Sequence, residues 1–328
     1  MPRPLLRAAA AAAVLLLALS GCGSGEPEQS EQAAAGGSAP AGAFPVTLNH
    51  AFGTTTIPAE PKRVVAVGLN DSDFLLSLGV VPVGSREFTG GFDWQNRAWA
   101  QQALGGQKPQ ALTGTSVPVE QIASLQPDLI LGVYSFLDKT TYDTLSKIAP
   151  RVAQPTPDGT NAAPWPEQLR ITGQAVGRTQ QAEQVAAATQ QKFDDAKAAY
   201  PAFAGKSLKM DFVVGGTPID LGTDDLRAQL FAGLGFGVPG TTQNLSREQQ
   251  GRLDADVLVV MGRTKAEAMA DPVFANIPAV KAGRVAFLGG YTTDFAGALG
   301  FSSPLSLPYA IDSVAPKLDA ALKGQDPA

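Results

Sequence analysis

Side chains able to do covalent or metal chemistry are scarce in this sequence. Its 328 residues include one cysteine, Cys22, and one histidine, His50. One cysteine allows neither an intrachain disulfide nor a thiolate cluster, and one histidine excludes a multi-histidine metal site. A hydrolase would have to take its base from His50, and neither a G-x-S-x-G elbow nor an H-E-x-x-H pair is present. Residues 235–240 spell G-x-G-x-x-G, but they follow a helical stretch and not a strand, so a glycine-rich helix exit explains them. The side chains that remain suit binding. Arg86, Trp94, Tyr134, Arg227, Arg263 and Tyr291 lie beyond apolar segments. Aromatic faces and guanidinium groups hold a bulky, oxygen-rich small molecule by packing, cation–π contact and hydrogen bonds. Each has a plainer alternative: a tyrosine can edge a core, and Arg86 can be a solvated loop charge. Trp165 can wall a cleft or simply pack. His50 precedes the first apolar strand, which suggests a surface position.

The lone sulfur has its own context. Arg3 and Arg7 precede a short apolar run, residues 8–19, and Leu19-Ser20-Gly21-Cys22 follows. This is the layout of a secretory signal peptide, and the run is short for a membrane span. Its end resembles the bacterial lipobox, in which cleavage before the cysteine frees the sulfur for a diacylglycerol. The expected order is a signal peptide at 1–21, then lipidated Cys22 and a disordered tether at 22–43. Residues 23–43 are rich in Gly, Ser, Glu, Gln, Ala and Pro, and a coil of that length reaches roughly 25 Å at about 5–6 Å × √n. The chain is thereby expected on the outer face of the bacterial cytoplasmic membrane. Cleavage removes two of 25 bases and none of 30 acids, so the formal charge of −5 becomes −7. A mildly acidic protein lacks the basic footprint of a nucleic-acid partner.

Beyond the tether the pattern is α/β. Apolar runs at 64–67, 80–84, 129–131, 208–214, 219–222, 257–261 and 284–288 read as strands. Helical spacing falls between them at 71–78, 122–125, 142–148, 226–234 and 309–322. Strands alternating with helices imply mainly parallel sheets. Residues 165–200 carry no strand signal and read as two consecutive linking helices. The expected architecture is an N-terminal α/β lobe at 44–164, linking helices at 165–200 and a C-terminal α/β lobe at 201–328.

Each lobe contains the same local pattern. Glu120, Gln121, Leu125 and Asp128 precede one apolar strand, and Glu248, Gln249, Leu253 and Asp256 precede another at identical offsets. Pro118 and Ser246 are helix-starting residues just upstream. An acid in a first helical turn is favourable to its own helix. Two acids at matched points of two lobes also suit a partner with two cationic sites.

In order along the chain, Pro61-Lys62-Arg63-Val64-Val65, Leu78-Gly79-Val80, Val119-Glu120-Gln121-Ile122, Ile148-Ala149-Pro150, Ser246-Arg247-Glu248-Gln249 and Ile277-Pro278-Ala279-Val280 occur. Together these resemble the class III periplasmic binding proteins of siderophore, haem and cobalamin importers, from about residue 46 to the C-terminus. The resemblance implies two lobes joined by a long rigid helix, with a ligand cleft between them; one long helix offers few hinge torsions, so little closure on binding is expected. It implies an ATP-binding-cassette permease as partner, docked through Glu120 and Glu248. The ligand it favours is an iron–siderophore complex, with haem or cobalamin as alternatives inside the family. No cofactor or resident metal is implied, and the protein is expected to be a monomer and not an enzyme. A secreted enzyme and an adhesion lipoprotein remain the readings from other classes. In the strand-end loops Asp71, Asp73, Glu87, Asp93, Asp138, Asp224, Asp225 and Asp294 outnumber Arg86, Lys139, Arg227, Arg263 and Lys265. That balance suits a neutral or cationic ferric hydroxamate-type chelate better than an anionic tris-catecholate.

Cys22→Ala is expected to abolish lipidation, because the tether starts at the only sulfur. Metabolic labelling with a fatty acid checks this, and a labelled variant would exclude the lipobox.

Overall fold

The computed structural model describes residues 38–88, 91–114, 116–156 and 163–325. Cys22, the expected signal peptide and most of the expected tether lie outside the described residues. Among the described residues no helix is long and apolar enough to cross a membrane.

The first lobe opens with a hairpin, β1 (Val46–His50) and β2 (Gly53–Ile57). Its inward positions are Leu48, His50, Thr55 and Ile57. Two of those four are polar, which hides the alternation that marks a half-buried strand. His50 is therefore buried, not on the surface. Its Nδ1 accepts the Phe52 N–H at 3.2 Å, and its Nε2 meets Thr55 Oγ1 at 2.9 Å and the Tyr142 hydroxyl at 3.2 Å. The Arg151 guanidinium lies 3.9 Å over the Tyr142 ring.

The lobe's main sheet is all parallel, in the order β5 (Gln110–Leu112), β4 (Gly84–Arg86), β3 (Val64–Ala66), β6 (Leu129–Leu131), β7 (Arg151–Val152). Every residue of β3 and β6 is buried, as helices on both faces of a parallel sheet require. The helices are α1 (Asp71–Ser77), α2 (Gln101–Leu104), α3 (Val119–Ser124) and α4 (Lys139–Leu145). The strand expected at 80–84 starts later. Pro82 has no N–H to give a ladder, and pairing begins only where the Val83 N–H reaches Val64 O.

Two linking helices follow, α5 (Trp165–Ala175) and α6 (Thr179–Ala199). The 21 residues of α6 span about 30 Å at 1.5 Å each. Gly177 turns the chain between them at φ +69°, and a Cβ there would strike the Phe44 ring at 2.5 Å. Phe44 packs on that turn, and the Ala39 N–H donates to Glu60 at 2.9 Å. The folded chain thus reaches back into residues 39–43, which were expected as tether.

The second lobe has the sheet order β10 (Gln243–Asn244), β9 (Thr217–Asp220), β8 (Leu208–Val214), β11 (Val257–Met261), β12 (Val285–Phe287). Strands β8, β11 and β12 are parallel, and β9 and β10 form an antiparallel edge. Its helices are α7 (Ala228–Gly233), α8 (Lys265–Ala270), α9 (Pro272–Ala275), α10 (Pro278–Lys281), α11 (Asp294–Gly300) and α12 (Ser306–Leu322). The repeat acquires a structural meaning here. Asp128 accepts the N–H groups of Lys62 and Arg63, both at 2.8 Å, and so ties the start of β3 to β6. Asp256 accepts the Ser207 N–H at 2.9 Å and ties β8 to β11. Glu120 stands in the first turn of α3, and Glu248 in a 3₁₀ helix, Arg247–Leu253, capped by Ser246 and Gln249.

Burial, then the Arg151 charge, lower the His50 pKa from 6.5. The folded state holds that proton less well than the unfolded one, so the stability His50 contributes is present above pH 6.5 and lost as pH falls below it. The pH slope of the melting temperature below 6.5 is expected to be shallower in His50→Gln than in the wild type.

Candidate functional site

The carboxyl ends of the central strands of both lobes approach one another, which is where open α/β sheets bind ligands. In the first lobe the wall is organised by Asp71, at the start of α1. Its buried carboxylate accepts N–H groups from Gly68 (3.1 Å), Val133 (3.0 Å) and Tyr134 (3.3 Å). The Leu69 N–H donates back to Tyr134 O at 2.8 Å. These bonds fasten the loop after β6 to the loop after β3. Gln154 supports the same loop from behind, accepting from Ser135 and Leu137 and donating to Leu137 O. Tyr134 and Phe136 crown it, with ring centroids 5.0 Å apart. Phe136 is 47% exposed and sits at φ +52°, a conformation that costs a non-glycine residue energy. Burial raises the Asp71 pKa to about 6, against the three N–H bonds and the charge of half-buried Arg86. The side chain of Arg86, at the end of β4, makes no hydrogen bond or ion pair with another described residue.

In the second lobe Phe212 of β8 is the platform. The Arg227 guanidinium lies 3.9 Å over its ring, and the Tyr291 ring stands 4.9 Å away. Asp225 holds Arg227 through both carboxylate oxygens, at 2.7 and 2.5 Å. The Tyr291 hydroxyl donates to Val213 O at 2.5 Å. Only a glycine at 262 leaves room for that bond, since a Cβ would collide with both partners. Burial pushes the Tyr291 phenol up to about 12. The two walls face each other: burial and then the Asp225 charge raise the Tyr134 pKa, and Arg227 lowers it.

Four of the six residues singled out from sequence, Arg86, Tyr134, Arg227 and Tyr291, line these walls. The other two do not. Trp94 is 6% exposed, stacked on Phe88 at 5.8 Å, so it backs the wall without reaching its surface. Arg263 turns inward to an ion pair with buried Asp211 and lies 4.2 Å over the Phe274 ring. The expected acidic balance also changes. Asp71 and Asp73 are buried, Asp225 neutralises Arg227, and Asp138 and Asp224 cap the backbone at Thr141 and Thr242. Phe136, Phe212 and Gln154 were not identified from sequence, and Asp71 was read there as a loop charge and not as the buried group that holds the wall. Phe212 read as core strand, and nothing local marks a phenylalanine that will adopt a positive φ. Glu120 and Glu248 are exposed, one on each lobe.

Two α/β lobes with an aromatic and cationic cleft between them, bridged by helices, define a small-molecule binding protein. The periplasmic binding protein family matches residues 64–292, and the chain belongs to that family. The probable siderophore-binding lipoprotein YfiY of Bacillus subtilis is 30% identical over 226 residues, 65% of this chain and 67% of the relative. A solved periplasmic solute binding protein from Mycobacterium smegmatis is 34% identical, with a TM-score of 0.76 over 84% of this chain and 98% of that one. Streptococcus pneumoniae PiaA in complex with ferrichrome is 26% identical, with a TM-score of 0.73 over 85% and 99%.

Asp71 is expected to titrate near pH 6, with Arg86→Gln moving its midpoint higher by removing the opposing charge. Carboxyl-carbon NMR reads both. The folded value lies above 3.8, so the stability this group contributes is present below pH 3.8 and lost as pH rises through about 6.

Proposed function

We propose that this protein is a lipid-anchored, extracytoplasmic binding protein that holds a ferric siderophore between its lobes and delivers it to an ATP-binding-cassette permease. The observation that carries the reading is Arg86, a half-buried guanidinium whose side chain makes no hydrogen bond or ion pair with another described residue and whose charge acts on Asp71, the carboxylate that holds the Tyr134–Phe136 rim; Phe212 and Tyr291 form the wall of the second lobe. A cation that the fold leaves unpaired is available to an oxygen donor of a ligand, while the rings supply packing area. The names of the relatives support an iron chelate: siderophore for YfiY, ferrichrome for PiaA. Haem fits less well, since the Tyr291 phenol is engaged by Val213 O and held protonated, not free as an axial phenolate.

One unpaired guanidinium compensates little of a strongly anionic chelate. The expected order of affinity by calorimetric titration is therefore a ferric trihydroxamate above a ferric tris-catecholate. The reverse order would show that Arg86 and Arg227 together set the preference. Delivery is assigned to Glu120 and Glu248, exposed on separate lobes. Glu120→Arg with Glu248→Arg is expected to abolish uptake of the radiolabelled chelate by cells. Reversal sets like charges face to face, which costs several kcal/mol in an interface. Chelate affinity should be unchanged, and its loss would refute separate docking and binding surfaces.

A further inference from the structure

We propose that Asp73 is a positioning residue that fixes the width of the cleft, by pinning residues 301–306 of the second lobe onto the first. The linking helices are one connection between the lobes. Residues 301–306, which run from the end of α11 to the first residue of α12, are another. Asp73 lies in α1, 0% exposed. Its Oδ1 takes Nε and Nη2 of Arg97 at 2.7 and 2.5 Å, and its Oδ2 takes the Trp99 indole N–H at 2.7 Å. Those partners belong to the first lobe. The remaining capacity of Oδ2 goes to the Ser303 hydroxyl at 3.3 Å, 230 residues away. Beside it Asn70, the residue before α1, donates its amide to Phe301 O at 3.0 Å. Aromatic packing closes around these bonds: Phe301 lies 4.9 Å from Phe88, and Tyr309 lies 5.4 Å from Trp99.

The arrangement is directional, which packing alone is not. Arg97 is 2% exposed and is further held by Trp94 O at 2.7 Å, so the carboxylate it orients cannot swing. Ser303 is 0% exposed, and its hydroxyl also meets Ser306 Oγ at 3.2 Å and accepts the Ser306 N–H at 3.1 Å. If the lobes separate here, a charged acceptor and a hydroxyl both lose a buried partner, and a buried polar group left unmade costs more than a made one contributes. Asn70 and Asp73 flank Asp71, so the helix turn that ties the lobes also positions the Tyr134 wall. Cleft width and wall geometry are set by the same three side chains.

The test separates the tie from the ligand reading, on which only its second arm rests. Spin labels go on Ser124→Cys and Lys281→Cys, one on each lobe, in the full chain carrying Cys22→Ser. Electron-electron distance measurements are expected to give one narrow distribution for the otherwise wild-type protein. Asn70→Ala with Ser303→Ala should broaden it, and Ser306→Ala, which loses only bonds within the second lobe, should not. An unchanged width in the double variant, or equal broadening by Ser306→Ala, overturns the proposal. In the second arm, without labels, the double variant should release a ferric trihydroxamate roughly ten-fold faster, the order of effect of losing its two cross-lobe hydrogen bonds. If the wild type binds no ferric chelate, the ligand assignment fails while the distances still decide the tie. If it binds and the double variant releases at the wild-type rate, Asp73 does not position the cleft.

Discussion

Apolar side chains from both lobes meet in one continuous seam along the linking helices. Leu48, Phe74 and Leu131 enter it from the first lobe, Leu169, Ile171 and Phe193 from α5 and α6, and Leu208, Met261 and Leu318 from the second. Fully burying each large side chain contributes about 1.5–3 kcal/mol, so the seam is the main reason the lobes stay together. It also constrains everything at the cleft. The strand ends of both sheets are delivered to one line, and the polar groups that close that line must find partners inside the protein.

Three buried carboxylates show how differently that demand is met. Asp71 is satisfied chiefly by backbone N–H groups, and burial leaves its pKa raised. Asp73 is held by Arg97 and Trp99 and extends to Ser303. Asp211 is held by Arg263, and burial raises its pKa as well. Buried ion pairs are weak evidence for net stability, because desolvation consumes most of the attraction. Their value here is directional. Each specifies where one loop stands relative to another, while the side chain of Arg86, half-buried near Asp71, enters no such pair with a described residue.

The periodic parts of the chain were legible. Buried runs such as residues 257–261 and the spacing of α6 follow from local geometry, and the α/β order follows from their alternation. The matched Asp128 and Asp256 were visible as a repeat, although their strand-tying bonds were not. The β1–β2 hairpin was hidden because His50 and Thr55 occupy inward positions. Of the candidate site, residue types and their loop positions were readable and orientation was not. Trp94 and Arg263 occupy strand-end loops as expected, yet both side chains point into the protein.

The sequence alone determined the buried strand runs and the longer helices, where the chain carries its single sulfur, and which loops hold aromatic and cationic side chains. Those properties depend on neighbours within a few residues. Tertiary structure decided which charges are spent on each other. Arg97 meets Asp73 across 24 residues, Arg263 meets Asp211 across 52, and Ser303 meets Asp73 across 230. A side chain's charge is written at its own position, but whether it is buried, paired or left for a ligand depends on groups brought near only when the two sheets and their linking helices pack.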